Sequence, residues 1–149
     1  MIYLSKHFTL DELTKSATAI RLGIDNIPNE TELKNLQDLV DNILEPLRVH
    51  YGRPIIITSG FRCEKLNKAV GGSSTSQHRL GKAADIRSVS DKREDNKELF
   101  QMIMEMKLPF DQLIDEFDYD WVHVSFSNRN RRQVLHAKKI NGKTVYIKD

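Results

Sequence analysis

Apolar residues recur at helical spacing through Leu33, Leu36, Val40, Ile43, Leu44 and Leu47. The pattern predicts an amphipathic helix whose inward face is aliphatic, and which therefore packs rather than reacts. Pro28-Asn29 followed by Glu32 marks its start. Upstream, Thr9-Leu10-Asp11-Glu12 has the form of a capping box and predicts a short helix to about Ser16. A third helix, over about Asp91 to Met106, turns Leu99, Ile103 and Met106 inward and stops before Pro109. Between these, the β-branched run Ile55-Ile56-Ile57-Thr58-Ser59 predicts a buried strand ended by Gly60. Cys63 to Val70 reads as one or two helical turns, and Gly71-Gly72-Ser73-Ser74-Thr75-Ser76 as a flexible loop leading into His78.

The second half is richer in strands. Ala83 to Val89 is a strand with Asp85 near its start, and Gln112 to Phe117 should pair with Trp121 to Ser127 across the turn Asp118-Tyr119-Asp120. Val134 to Ile140 and Lys143 to Ile147 flank Asn141-Gly142, whose tolerance of positive φ suits a tight hairpin. Strands interleaved with unequal helices, then joined by hairpin-length turns, predict an α+β fold: an antiparallel sheet with flanking helices. At 149 residues the chain should form one domain, residues 1–149, around one core.

Composition narrows the class further. With 39% hydrophobic and 30% charged residues, the sequence reads as a globular chain with no apolar run long enough to span a bilayer. The start of the chain lacks the features of a secretory signal, so synthesis in the cytoplasm is the expectation. Cys63, the single cysteine, excludes an intramolecular disulfide and is read as a packing residue. The net charge of +2 is unevenly spread: from Arg129 onward there are seven cations and one acid, against 16 basic and 20 acidic residues before. That basic end could meet a polyanion, or could simply keep terminal strands from associating. A nucleic-acid role has no supporting aromatic platform.

Chemistry concentrates in a few residues. His78 and Asp85 are seven positions apart, and a sharp return at Gly81 could aim both at one ion. On the later strand, period two puts Trp121, His123 and Ser125 on one face, with Val122, Val124 and Phe126 on the other. If the valines enter the core, His123 faces a cleft. Two imidazoles and a carboxylate suit catalytic zinc, although each histidine alone is more readily read as a packed or surface residue, and Asp85 equally as a loop cap.

Ser76-x-His78-x-x-Gly81-x-Ala83-x-Asp85, preceded by Ser59-Gly60-Phe61-Arg62 and followed by Trp121-x-His123, resembles the zinc D-alanyl-D-alanine carboxypeptidase and L-alanyl-D-glutamate endopeptidase family. That family includes bacterial cell-wall enzymes and phage endolysins and shares its fold with hedgehog signalling domains. The likeness covers about Ile55 to Ser127. It implies that one zinc ion per chain is held by His78, Asp85 and His123. Asp120 matches the acidic position three before the last ligand and is the expected general base; Asp118 and Glu116 are rivals. On a regular strand an offset of three would turn Asp120 away from His123, so the strand must begin, bend or bulge at Trp121. Arg62 matches an arginine able to hold a scissile carbonyl oxygen or a substrate carboxylate, with Phe61 replacing the commoner tyrosine. Ser76 and Gln77 are candidates for orienting ligands or binding substrate amides, and Trp121 for walling the cleft.

The expected activity is hydrolysis of a peptide bond in a peptidoglycan stem, as carboxypeptidase or endopeptidase, by a monomer of phage or prophage type acting on the wall once released. The basic end would help it adhere to anionic wall polymers. The alternative is a zinc-bearing binding module of the same fold without hydrolysis.

Overall fold

A computed structural model describes residues 1–149. The chain opens with α1 (Leu10–Thr14), whose capping box is complete: Thr9 Oγ1 accepts the Glu12 amide while Glu12 returns to the Thr9 amide. A separate helix that the sequence reading missed, α2 (Ala17–Leu22), starts at Ser16, whose hydroxyl accepts the Ala19 amide, and ends at left-handed Gly23. A second capping box, Asn29 with Glu32, opens α3 (Glu30–Leu39). The helix widens into a π-helical turn over Val40–Leu44 and continues as α4 (Glu45–Tyr51). Pro46, which has no N–H to donate backward, lies two residues past the end of that wider turn. The expected aliphatic face is buried at Leu36, Val40, Ile43, Leu44 and Leu47, while Leu33 stays partly exposed at the margin.

The remaining elements are β1 (Ile55–Ser59), α5 (Glu64–Ala69), a 3₁₀ turn (Gln77–Leu80), β2 (Ala83–Ser88), α6 (Arg93–Glu105), β3 (Gln112–Glu116), β4 (Trp121–Ser125), β5 (Gln133–Ile140) and β6 (Lys143–Lys148). They form one six-stranded sheet in the order β1-β2-β4-β3-β5-β6. The fold is α+β as expected, with two corrections. The sheet is not wholly antiparallel, because β5 runs parallel to β3 after crossing over from β4. The isoleucine-rich β1, expected to be a buried strand, is an edge strand in which only Ile55 is fully buried.

The sheet divides the molecule. One face carries Ala84, Ile86, Leu113, Val122 and Val124 against the aliphatic row of α3–α4 and against Leu99, Phe100 and Ile103 of α6. Burial of this apolar surface is the principal force holding the layers together. Strand alternation turns the intervening residues to the opposite face, where Asp85, His123, Ile114 and Glu116 lie side by side.

Candidate metal centre

His78 reaches the site from a short turn that the sequence closes at both ends. Ser76 Oγ accepts the His78 amide at 3.2 Å, and Gly81 ends the turn in the left-handed conformation (φ 76°). A side chain at Gly81 would also meet the Glu32 carbonyl oxygen at 2.5 Å. The buried His78 ring donates from Nδ1 to the Gly60 carbonyl at 2.8 Å. This bond fixes the tautomer and leaves Nε2, 3.3 Å from Asp85 Oδ1, with a free lone pair.

Asp85 and His123 are brought together by sheet register, since β2 and β4 pair them directly. His123 Nδ1 lies 3.0 Å from Asp85 Oδ1, and the two imidazoles meet edge-on with centroids 5.1 Å apart. Burial pushes the Asp85 carboxyl up, but the imidazoles of His78 and His123 outweigh it and hold the group well below the usual carboxylate range. One donor atom from each of His78, Asp85 and His123 falls within 4.8 Å of the others. Two nitrogens and one oxygen at that spacing, all bordering a cleft of about 730 Å³, fit a zinc ion that keeps a position for another ligand.

Arg62 is positioned beside them. Its Nε donates to Ser59 Oγ at 3.1 Å, its amide donates to the His78 carbonyl at 3.0 Å, and Nη2 lies 3.7 Å from Asp85 Oδ2. Ser76, Gln77 and Trp121 all border the cleft as expected. Trp121 stacks edge-on against Phe117 at 5.5 Å. Gln77 donates to Asp111 Oδ2 at 2.9 Å.

Glu116 and Asp120, which flank the turn of the hairpin that carries His123, part company. β4 does begin at Trp121, but Asp120 does not turn into the cleft: its side chain is 54% exposed and lies 3.6 Å from Arg93 of α6. The cause is the turn before it, where Phe117, Asp118 and Tyr119 all adopt left-handed φ (54°, 57° and 61°). Such a run costs about 1–2 kcal/mol per residue, and it is held by Arg93 on the Phe117 and Asp118 carbonyls, Asn96 on the Tyr119 and Asp120 carbonyls, and Asp115 on the Tyr119 amide. Glu116 instead shares the cleft face with His123. Ile114 pairs with His123 across β3 and β4, and Glu116 is two residues further on. Burial pushes its carboxyl up to about 7, with His123 opposing and Asp85 and Asp115 adding to the rise.

The sequence reading missed the far wall of the cleft. Tyr146 of β6 reaches it because register aligns Glu116 with Ala137 and Ala137 with Tyr146. Its phenol is pushed up by burial and by Glu116 and Asp85, which keeps it a proton donor. The Asn141-Gly142 turn foretold the β5–β6 half of that alignment; nothing local foretold the parallel pairing of β3 with β5. Arg129 and Arg131, read as part of a basic end, also border the cleft.

Comparison with known proteins agrees with this geometry. A search of curated proteins returned no match, but the model of the Peptidase M15 family matches residues 6–125. That span carries Arg62, Glu116 and the three side chains that could hold a metal, and it covers most of the sequence. The chain belongs to the Peptidase M15 family, whose members are zinc-dependent peptidases.

Proposed function

We propose that the protein hydrolyses a peptide bond in peptidoglycan stem peptides, with zinc held by His78, Asp85 and His123 and with Glu116, rather than Asp120, as general base. The observation that carries this reading is the convergence of the three donor atoms and the Glu116 carboxyl on one cleft. Zinc bound there would supply Lewis acidity, polarising a carbonyl and lowering the pKa of water.

The chain's own groups divide the remaining work. Glu116 is buried beside the metal ligands, and the charge of a bound cation favours its carboxylate form at neutral pH. It takes a proton from the attacking water and passes it to the leaving amine. Arg62, fixed by Ser59 and Asn67, faces the developing negative charge on the scissile oxygen. Tyr146 and Trp121 wall the peptide on the β6 and hairpin sides. The exposed lysines of β5 and β6, among them Lys138, Lys139 and Lys143, would draw the protein to anionic wall polymers, an attraction that salt weakens.

The test is digestion of peptidoglycan by wild type, Glu116→Gln and Asp120→Asn, with fragments read by mass spectrometry and zinc content measured in parallel. Glu116→Gln should lower kcat by roughly 10²–10⁴-fold with zinc retained, while Asp120→Asn changes it little. Stem fragments should vanish with a chelator. The reverse ranking would return the base to Asp120, and zinc without any cleavage would favour a binding module.

A further inference from the structure

The loop between α2 and α3 reverses the usual placing of polar and apolar side chains. Ile27 is 74% exposed and Asp25 is exposed as well, while Asn26 between them is half-buried. Leaving an isoleucine in water and drawing an amide inward is unfavourable unless the amide recovers its hydrogen bonds. Asn26 recovers all of them. Its Nδ2 donates to the Thr14 carbonyl at the end of α1 and to the Phe61 carbonyl, each at 2.8 Å, and its Oδ1 accepts the Cys63 amide at 2.8 Å. Two carbonyls and one N–H fix which end of the side chain faces which partner.

Phe61 and Cys63 are the residues on either side of Arg62. In extended backbone the carbonyl before a residue and the amide after it point to one side, and the residue's own amide points to the other. Asn26 occupies the first side, much as a neighbouring strand would. On the second, the Arg62 amide donates to the His78 carbonyl at 3.0 Å. The backbone of Arg62 is thus gripped between a distant loop and the turn that carries His78. The side chain leaving that backbone meets Ser59 Oγ at 3.1 Å and Asn67 Oδ1 at 3.4 Å, and it brings Nη2 to 3.7 Å from Asp85 Oδ2. A side chain this long amplifies any rotation of its own backbone, so the position of the guanidinium depends on that grip.

We infer that Asn26, which does not border the cleft, is a positioning residue that acts through Arg62. The inference rests on the peptidase reading for what Arg62 does to a substrate, and on the bonds above for how Arg62 is held. The Phe61 amide separately ties the segment to the Leu13 carbonyl at 2.7 Å. Removing the Asn26 amide therefore loosens the peptide groups around Arg62 without releasing the segment from α1.

The test is a double-mutant cycle in the zinc-loaded full chain: wild type, Asn26→Ala, Arg62→Ala and the double variant. For each, kcat on stem peptides, denaturant stability and zinc content are measured. Asn26→Ala should lower kcat by roughly 10–100-fold with zinc retained. In the Arg62→Ala background it should cost less than about twofold, while its cost in stability is the same in both backgrounds. Independently of turnover, the Arg62 Nε–H resonance, assigned by its loss in Arg62→Lys, should exchange with water roughly tenfold faster in Asn26→Ala. Unchanged kcat, kcat losses that multiply in the double variant, loss of zinc from Asn26→Ala, or unchanged Nε–H exchange overturns the inference. If Asn26→Ala does not fold, Asn26→Asp takes its place with the same expectations, since it keeps the acceptor for Cys63 and loses both donations. Absence of cleavage by wild type would sink the peptidase reading and leave the exchange measurement to decide the inference.

Discussion

Glu116 and Asp120 are both carboxylates shortly upstream of His123, and what separates them is the direction in which the backbone turns each one. The meeting of His78, Asp85 and His123 was legible in the sequence because the three sit in recognisable local blocks. Which carboxylate faces them was not, because counting three residues back from His123 takes no account of the left-handed turn that sends Asp120 toward Arg93. Cross-strand register, which joins Glu116 to the face of His123, is non-local. A similar dependence on a neighbour holds at Gly60. A Cβ there would lie 2.3 Å from the Leu13 carbonyl oxygen, so Gly60→Ala must push β1 away from α1. The same residue's carbonyl orients His78. Gly60→Ala should therefore lower stability by about 1–3 kcal/mol and weaken zinc binding by roughly 10–100-fold. Denaturant unfolding and a competitive zinc titration measure the two effects; unchanged zinc affinity would show that the Gly60–His78 bond does not support the site.

At the scale of elements, the helices whose boundaries could be read are those whose signals are local. Both capping boxes formed because their donors and acceptors lie three residues apart. The short α2 escaped notice because six residues carry too little periodicity, and β1 is less buried than its β-branched run implies because it takes the edge of the sheet. The crossing from β4 to β5 depends on Asp111, which no periodicity marks. Hydrogen bonds from Arg131 hold this carboxyl well below its ordinary value of 3.8, with burial opposing. The unfolded chain then takes up the proton near that ordinary value, while the folded one does so only at lower pH. The stabilisation is thus present above about pH 4 and lost as pH falls through the folded group's value. Asp111→Asn should lower stability at pH 7 by roughly 1.5–3 kcal/mol and flatten the decline of stability below pH 4. Urea unfolding of both proteins between pH 7 and pH 2.5 tests this; parallel curves would mean that Asp111 does not set the acid dependence.

For the molecule as a whole, the sheet separates two tasks: one face holds the apolar core against the helices, and the other brings together three side chains able to hold a metal. The fold class followed from the order and length of the apolar runs, whereas the cleft did not, since its walls come from the turn before β2, the β3–β4 hairpin, the crossing after β4 and the β6 edge. Segments so far apart in the chain meet only once the whole sheet has formed. An ion held by His78, Asp85 and His123 would link the first two of them to β2, and the unfolded chain has no such site, so zinc binding must couple to global stability. At free zinc one hundred times Kd the gain is about 2.7 kcal/mol, equivalent to about 5–10 °C in Tm for a chain of this size. Thermal unfolding of chelator-treated protein, before and after stoichiometric zinc is restored, should show that rise in wild type and lose it in His123→Ala. Because His123 is half-buried at the cleft and its neighbours Val122 and Val124 carry the core packing, the variant should still fold without the metal. A rise of equal size in His123→Ala would place the ion elsewhere on the molecule, and no rise in wild type would mean that the three side chains do not hold zinc.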